Sequence, residues 1–277
     1  WRVAQEYGDS FRDFDSWVAG GRVLKDLRHK RTVECVLGGK TFLVKTYKAS
    51  SWLRRLKAAV SGSKAGKELE TFLEVNRRGI PTIPVAAVIR DSVVVEKLSG
   101  WAQLQEVLLS GTTPPARRRK LLFAYGRFAR RLHDAGVWQY DFNPTNILVQ
   151  GREFRLIDFE RAEVRGNLPE PVRLRSIAKM NRIAGLSRTD RLRFLKGYVH
   201  AWPEEGKRLG RMVPEILHLF REQEKRDAAR AGDRCVSENR DFAPFEAREV
   251  HGFYRKLRGE GDEMGIARED LGRLAGG

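Results

Sequence analysis

Cysteine is almost missing from this chain of 277 residues: Cys35 and Cys235 are its only two. That excludes a disulfide scaffold and suits a reducing compartment. Long apolar runs are missing too, none approaching the ~20 residues that cross a bilayer. The first residues, Trp1-Arg2-Val3-Ala4, offer neither a methionine nor the apolar core of a secretion signal, so the chain is expected to begin inside a longer product. Acidic residues are in deficit, 36 against 53 Lys and Arg, giving a formal net charge of +17. The charge alone does not make a nucleic-acid binder. Zinc-finger spacing, an RNP-like aromatic strand and a GXXG loop are all lacking, so that class rests on charge and nothing else.

What is present supports a packed protein. Hydrophobic residues make up 41% of the chain and include 14 Phe, enough for a sizeable core and too many for a disordered polybasic tail. The length fits one two-lobed domain or two small ones. The basic residues cluster locally, as Arg54, Arg55 and Lys57, as Arg117 to Lys120, and as Arg127, Arg130 and Arg131. Such clusters are either solvated surface or the footprint of an anionic partner.

The first third reads as strands: Val23 to Leu27, Thr32 to Leu37 and Thr41 to Tyr47, the last two joined by Gly38-Gly39 as a tight turn. Ser51 to Val60 has Trp52, Leu53, Leu56 and Val60 at helical spacing among its basic residues, and reads as an amphipathic helix. A second helix, Ala65 to Arg78, stops at Gly79 ahead of Pro81. Strands Val85 to Arg90 and Ser92 to Lys97 follow, turning at Asp91. From Leu98 onward helices dominate: Trp101 to Leu109, Arg117 to Ala135, Val172 to Ala184, Thr189 to Trp202 and Arg211 to Ala229. They are interrupted by a hairpin whose strands, Asn146 to Val149 and Phe154 to Ile157, bracket Gln150-Gly151-Arg152. The tail beyond Ala231 reads as charged and irregular. The predicted fold class is α+β, with a β-rich lobe over 1–97, a helical lobe over 98–230 and a tail of unassigned role over 231–277.

The chemistry concentrates between Leu132 and Glu160. Asp141 is followed five residues later by Asn146, then by a strand, a turn and a second strand ending at Asp158. Phosphoryl transfer needs such a set: one carboxylate to orient the acceptor hydroxyl, and an Asn and an Asp to hold Mg²⁺ on the phosphates. Singly, Asp141 and Asn143 could cap a turn before Pro144 and Asp158 could end a strand. The joint spacing favours the catalytic reading. Lys45 ends an apolar strand, as either a solubilising edge residue or a phosphate-binding ammonium, and Glu68, Glu70 and Glu74 compete to hold it. His133 reads as a core or capping residue.

On these residues the chain resembles the protein-kinase-like superfamily and, more narrowly, the lipopolysaccharide core kinases that phosphorylate heptose or Kdo sugars. The narrower resemblance rests on Asn143 in the loop, on Asp158-Phe159-Glu160-Arg161-Ala162 with no glycine after the Phe, on Phe42-Leu43-Val44-Lys45 leading to Tyr47-Lys48, and on Gly79-Ile80-Pro81-Thr82-Ile83-Pro84. It covers residues 20 to 165. Two departures stand out: Gln139-Tyr140 replaces His-Arg, and no Gly-x-Gly-x-x-Gly joins the first two strands, where the turn is Arg28-His29-Lys30-Arg31.

The resemblance implies a two-lobed kinase-like fold, with a small antiparallel β lobe carrying one key helix and a larger, mainly helical lobe. It implies ATP and Mg²⁺ as cofactors and Asp141 as the catalytic base. Asn146 and Asp158 would hold the metal, and Lys45 would bind the α/β-phosphates. Glu68, eleven positions before Gly79 as in the family helix, would fix that lysine. Glu96 to Leu98 would be the hinge whose backbone meets adenine. The acceptor would be an anionic lipopolysaccharide precursor, which places the protein in the cytoplasm with peripheral contact at the inner face of the inner membrane, and the Trp52 segment has the composition of an interfacial element. Two alternatives stay open: a protein or small-molecule (aminoglycoside-type) kinase, and a pseudokinase that binds anionic lipid or nucleic acid.

Overall fold

The computed structural model describes residues 2–3, 11, 13–48, 63–140, 143–180, 183, 185–200, 202, 204–235, 242–247 and 250–255. The expected amphipathic helix Ser51 to Val60 and the expected base Asp141 lie outside the described residues. The chain divides into two compact units, 1–216 and 217–277.

The first unit opens with an antiparallel sheet of six strands: β1 (Arg2–Val3), β2 (Arg22–Asp26), β3 (Lys30–Leu37), β4 (Lys40–Tyr47), β5 (Val85–Ile89) and β6 (Ser92–Glu96), in the order β1-β5-β6-β4-β3-β2. The β3–β4 turn is Gly38-Gly39, with φ of 56° and 76°, a left-handed pair that glycine adopts without strain. Register sorts the strand residues by face. Cys35 lies opposite Phe42 and Val33 opposite Val44, and these join a core closed by Phe11, Phe14 and Trp17. Thr32 lies opposite Lys45 and Lys30 opposite Tyr47, so alternation puts these four on the other face. Against the sheet packs α2 (Lys64–Arg77), capped by Ser63 Oγ, which accepts from Gly66 N–H at 3.0 Å. Its buried Ala65, Glu68, Leu69, Phe72 and Val75 recur at helical spacing.

No residue pattern announces α1 (Phe14–Ala19), a short turn-and-a-half of helix that carries Phe14 and Trp17 into the core with Phe42. The β2–β3 turn is also tighter than expected, because Lys30 and Arg31 already belong to β3.

The helical region begins with β7 (Ala102–Gln103) and α3 (Leu104–Leu109). The expected helix from Trp101 is corrected at its start: Ala102 and Gln103 pair with Val149 and Leu148, and Gln103 is extended at φ −65°, ψ 135°. Next come α4 (Pro115–Asp134), β8 (Val137–Gln139), a 3-10 turn (Pro144–Asn146), β9 (Ile147–Gln150), β10 (Glu153–Leu156), β11 (Ala162–Val164), α5 (Glu170–Met180) and α6 (Arg188–Val199). Leu121, Leu122, Tyr125, Phe128, Ala129 and Leu132 of α4 are all buried, as their periodicity implies. Helices α4 and α6 cross closely through glycine: a Cβ on Gly126 would lie 2.0 Å from the Phe194 carbonyl, and one on Gly197 2.0 Å from that of Phe123. His133 is wholly buried between the Tyr198 hydroxyl and Ser176 Oγ, each 2.9 Å away. Burial, with Arg173 nearby, pushes its pKa down to about 3.

The long α7 (Glu205–Cys235) runs through Pro214 and starts six residues earlier than expected. The second unit holds the end of this helix and a hairpin of β12 (Phe242–Ala247) with β13 (Val250–Arg255), so the tail is not irregular throughout. Among the described residues no helix is long and apolar enough to cross a membrane. Part of the basic excess is used internally. Arg118 pairs with Asp190 at 3.0 Å, Arg130 lies 3.6 Å over the Trp202 ring, and Arg131 donates to the Gly79 carbonyl at 3.1 Å. Arg117, Arg119, Lys120 and Arg127 stay exposed.

Candidate active site

Where the sheet face with Lys45 meets the end of the β9–β10 hairpin, carboxylates and ammoniums gather from four parts of the chain. Lys45 Nζ, on β4, donates to Glu68 Oε1 at 2.7 Å and to Asp158 Oδ1 at 2.9 Å. Glu68, only 6% exposed, also accepts from the Tyr47 hydroxyl at 2.5 Å and from the Phe159 N–H at 3.3 Å. Four residues further along α2, Phe72 meets the Phe159 ring edge-to-face at 5.7 Å. One helix face therefore holds both the lysine and the residue after Asp158.

The charges in this cluster stabilise one another. Burial works against the Lys45 ammonium, but Glu68 and then Asp158 outweigh it and hold its pKa above the ordinary lysine value. Burial likewise raises the Asp158 carboxyl, and Lys45, followed by Lys30 and the Glu160 N–H, more than reverses it. Burial first, and Glu68 after it, keep the Tyr47 phenol protonated by raising its pKa. Glu160 accepts from Lys30 Nζ at 2.8 Å and has Lys64 Nζ at 3.8 Å from its other oxygen.

Asp158 adopts φ 62°, a left-handed conformation that a non-glycine residue keeps only when its surroundings impose it. Gln139 does so from β8, its amide donating to the Asp158 carbonyl at 2.5 Å. The 3-10 turn before β9 starts at Pro144 and is capped by Asn143 Oδ1, which accepts from Thr145 N–H at 3.2 Å. It ends at Asn146, whose carbonyl accepts from Ile157 N–H at 2.9 Å. Asn146 is thus set beside the peptide that leads into Asp158.

Of the expected site residues, the structure brings Lys45, Glu68 and Asp158 into direct contact and puts Asn146 at the adjoining turn. At Tyr140 the N–H donates to the Arg161 carbonyl at 3.1 Å and the carbonyl accepts from Lys179 Nζ at 2.6 Å. Glu96 and Leu98 lie at and just past the end of β6, where Lys97 N–H bonds the Thr41 carbonyl at 2.8 Å. The Glu96 carboxylate turns to Lys40, at 3.3 Å. Glu74 pairs with Arg77 and Arg78, and Glu70 is exposed, so neither competes with Glu68. Tyr47, Gln139 and Glu160 were not expected in the site, and Lys30 only as one of four residues in a basic turn that could meet polyphosphate by charge. Tyr47 was foreseeable from alternation, two residues after Lys45 on the same strand.

Only twelve positions separate Asp158 from the start of α5 at Glu170, and that segment is tied down. Strand β11 pairs with β8, Arg78 Nη1 bridges the Ala135 and Arg165 carbonyls at 2.8 Å each, and Leu168 is buried. Gly136, at φ 69°, admits this close approach, since a Cβ there would lie 1.9 Å from the Arg165 carbonyl. A long loop ordered by phosphorylation has no room here.

The donor chemistry suits a small hard cation. Asn146 and Asp158 are oxygen donors, and no group of three or more His, Cys, Asp or Glu able to hold a metal occurs among the described residues. Mg²⁺ is bound that way, by one or two protein oxygens with phosphates and water, rather than in a protein cage.

The profile of the lipopolysaccharide kinase (Kdo/WaaP) family matches residues 15–198. The chain is 27% identical over 207 residues to the lipopolysaccharide core heptose(I) kinase WaaP of Pseudomonas aeruginosa, a match spanning 64% of this chain and 76% of that one. It is 36% identical over 86 residues to a 3-deoxy-D-manno-octulosonic acid kinase of Photobacterium profundum, spanning 28% and 35%. Among solved structures, that of WaaP in complex with acyl carrier protein superposes with a TM-score of 0.56 at 23% identity, covering 79% of this chain and 98% of that one, and shares its kinase-like fold.

Proposed function

The chain belongs to the lipopolysaccharide kinase (Kdo/WaaP) family, and from that premise we propose that it transfers the γ-phosphate of ATP to a heptose or Kdo hydroxyl of the lipopolysaccharide inner core. The observation that carries the reading is the Lys45–Glu68–Asp158 cluster, in which an ammonium and a carboxylate 113 residues apart lie 2.9 Å from each other. Phosphoryl transfer asks a protein mainly for positioning and charge stabilisation.

Lys45, kept extended by Glu68, would hold the α/β-phosphates. The backbone of Glu96 to Leu98 would meet adenine. Asn146 and Asp158 would hold Mg²⁺, which when bound neutralises charge on the phosphates. Asp141 would orient the acceptor hydroxyl and take its proton as the hydroxyl oxygen bonds to the γ-phosphorus and the bond to ADP breaks. The lobes assigned to 1–97 and 98–230 are read accordingly, as nucleotide-binding and catalytic.

An anionic glycolipid acceptor fits a chain of net charge +17, working in the cytoplasm at the inner face of the inner membrane. Since the structural relative was solved with acyl carrier protein, that class of partner is proposed for this chain as well. The test is intact-mass analysis of lipopolysaccharide from a strain lacking this chain, with the wild-type and Lys45→Met genes restored in turn. Loss of one phosphate, recovered by wild type alone, supports the reading. Unchanged phosphate content removes it.

A further inference from the structure

We propose that Lys30 is a second phosphate-binding ammonium of the nucleotide site, standing in for a glycine-rich turn and parked on Glu160 until a triphosphate takes that carboxylate's place. The inference rests on the nucleotide reading above and names how the phosphates are covered.

A glycine-rich turn meets phosphate through free backbone N–H groups. The β2–β3 turn is not built for that. Leu27 N–H bonds the Lys30 carbonyl at 2.8 Å and Lys30 N–H bonds the Leu27 carbonyl at 3.4 Å, closing the turn on itself. Lys48 N–H pins it further, bonding the His29 carbonyl at 2.9 Å. The turn contains no glycine, so the phosphate contact must come from a side chain.

Register selects which one. Lys30 lies opposite Tyr47 and Thr32 opposite Lys45, so Lys30 and Lys45 are diagonal neighbours on the same sheet face. The Lys30 side chain is only 15% exposed, and its ammonium lies 2.8 Å from Glu160, two residues past Asp158. The charge of Lys30 is felt at Asp158, after that of Lys45. Arg28 and His29, by contrast, are exposed. Glu160 is itself mostly buried, at 20% exposure, with Lys64 Nζ 3.8 Å from its free side. A carboxylate so near the proposed phosphate position occupies an anion's place beside these lysines. An arriving triphosphate carries more negative charge and competes for the same ammonium.

The competing account is that Lys30–Glu160 only staples the turn to the helical region. The two accounts predict opposite signs for the two partners. Binding of Mg·ATP, magnesium tripolyphosphate and adenosine to the full chain would be measured by calorimetry and thermal shift. On the proposal, Lys30→Met weakens Mg·ATP and tripolyphosphate about tenfold to hundredfold, the range of one charge-assisted contact, and leaves adenosine unchanged. Lys30→Arg stays within a few-fold of wild type, and Glu160→Gln tightens both phosphate ligands. Should Lys30→Met melt before titration, Lys30→Gln carries the same comparison. Equal Mg·ATP affinity in Lys30→Met and wild type, or parallel weakening of ATP and adenosine in Lys30→Met and Glu160→Gln, overturns the inference alone. A wild type that binds none of the three probes overturns the nucleotide reading, and this inference with it.

Discussion

Removing the Glu68 carboxylate should be costly in a graded way that the structure lets one work out. Glu68 serves three donors: Lys45 Nζ, the Tyr47 hydroxyl and the Phe159 N–H. Lys45 keeps Asp158 as a second partner, at 2.9 Å, so its charge is not left alone. The other two donors are buried with the 6%-exposed Tyr47 and 4%-exposed Phe159, and each unsatisfied buried donor costs about 1–3 kcal/mol. Relief of the desolvation of Glu68 offsets part of that sum. Glu68→Ala is therefore expected to lose about 2–4 kcal/mol. Glu68→Gln, which keeps an accepting oxygen for the Phe159 N–H and can turn its amide N–H to the Tyr47 oxygen, should lose about half as much. At ~2–4 °C per kcal/mol for a unit of this size, the alanine variant melts roughly 5–15 °C lower. Urea and thermal unfolding of wild type, both variants, Lys45→Met and the double variant Glu68→Ala/Lys45→Met would measure it. The cycle should show a coupling of about 1–3 kcal/mol between the two residues. Alanine and glutamine variants that both melt with wild type, or a coupling of zero, would refute the packing argument and the role given to Glu68.

Asp141→Asn should cut turnover by ~10²–10⁴ while Mg·ATP still raises the melting temperature, and a variant with normal transfer would show that Asp141 is not the base. Acid should unfold the chain through His133. With its pKa at about 3 in the folded state and ~6.5 unfolded, the unfolded chain binds the extra proton between those values, so stability falls as pH drops across that window by on the order of 4 kcal/mol. His133→Gln should flatten that limb of a pH series of urea melts. Gly126→Ala should destabilise by more than ~1–3 kcal/mol, because its methyl would lie 2.0 Å from the Phe194 carbonyl, and an unchanged urea midpoint would mean that α4 and α6 do not cross so closely. Sedimentation with anionic vesicles should be salt-sensitive and weakened by changing Arg54, Arg55 and Lys57 to Glu, while binding unaffected by that triple change would leave the basic segment without a membrane role.

The parts of this site that could be read along the chain are those whose geometry is local. Asn146 and Asp158 flank a hairpin with a two-residue turn, so their relation follows from strand length. Glu68 and Phe72 share a face because a helix repeats every 3.6 residues. Gly38-Gly39 betrays its turn through the backbone freedom of glycine alone. Of the elements that escaped notice, α1 and the three-residue strands β8 and β11 are too short to show a period, and each is held by distant partners: α1 by Phe42, and β8 by a register that pairs Val137 with Val164.

Lys30 shows where reading along the chain stops. In Arg28-His29-Lys30-Arg31 the three cationic side chains are interchangeable as charge, and composition offers no reason to prefer one. What distinguishes Lys30 is its pairing with Tyr47 across the β3–β4 ladder, fixed eight residues away by the Gly38-Gly39 turn. A slip of one residue would put Arg31 over the site and Lys30 against the opposite face, because side chains alternate with period two. That opposite face is the apolar core of Val33, Cys35, Phe42 and Val44, which resists the slip. The burial of that core therefore sets which basic residue stands beside Asp158, and the electrostatics of the site depend on hydrophobic packing on the far side of the sheet.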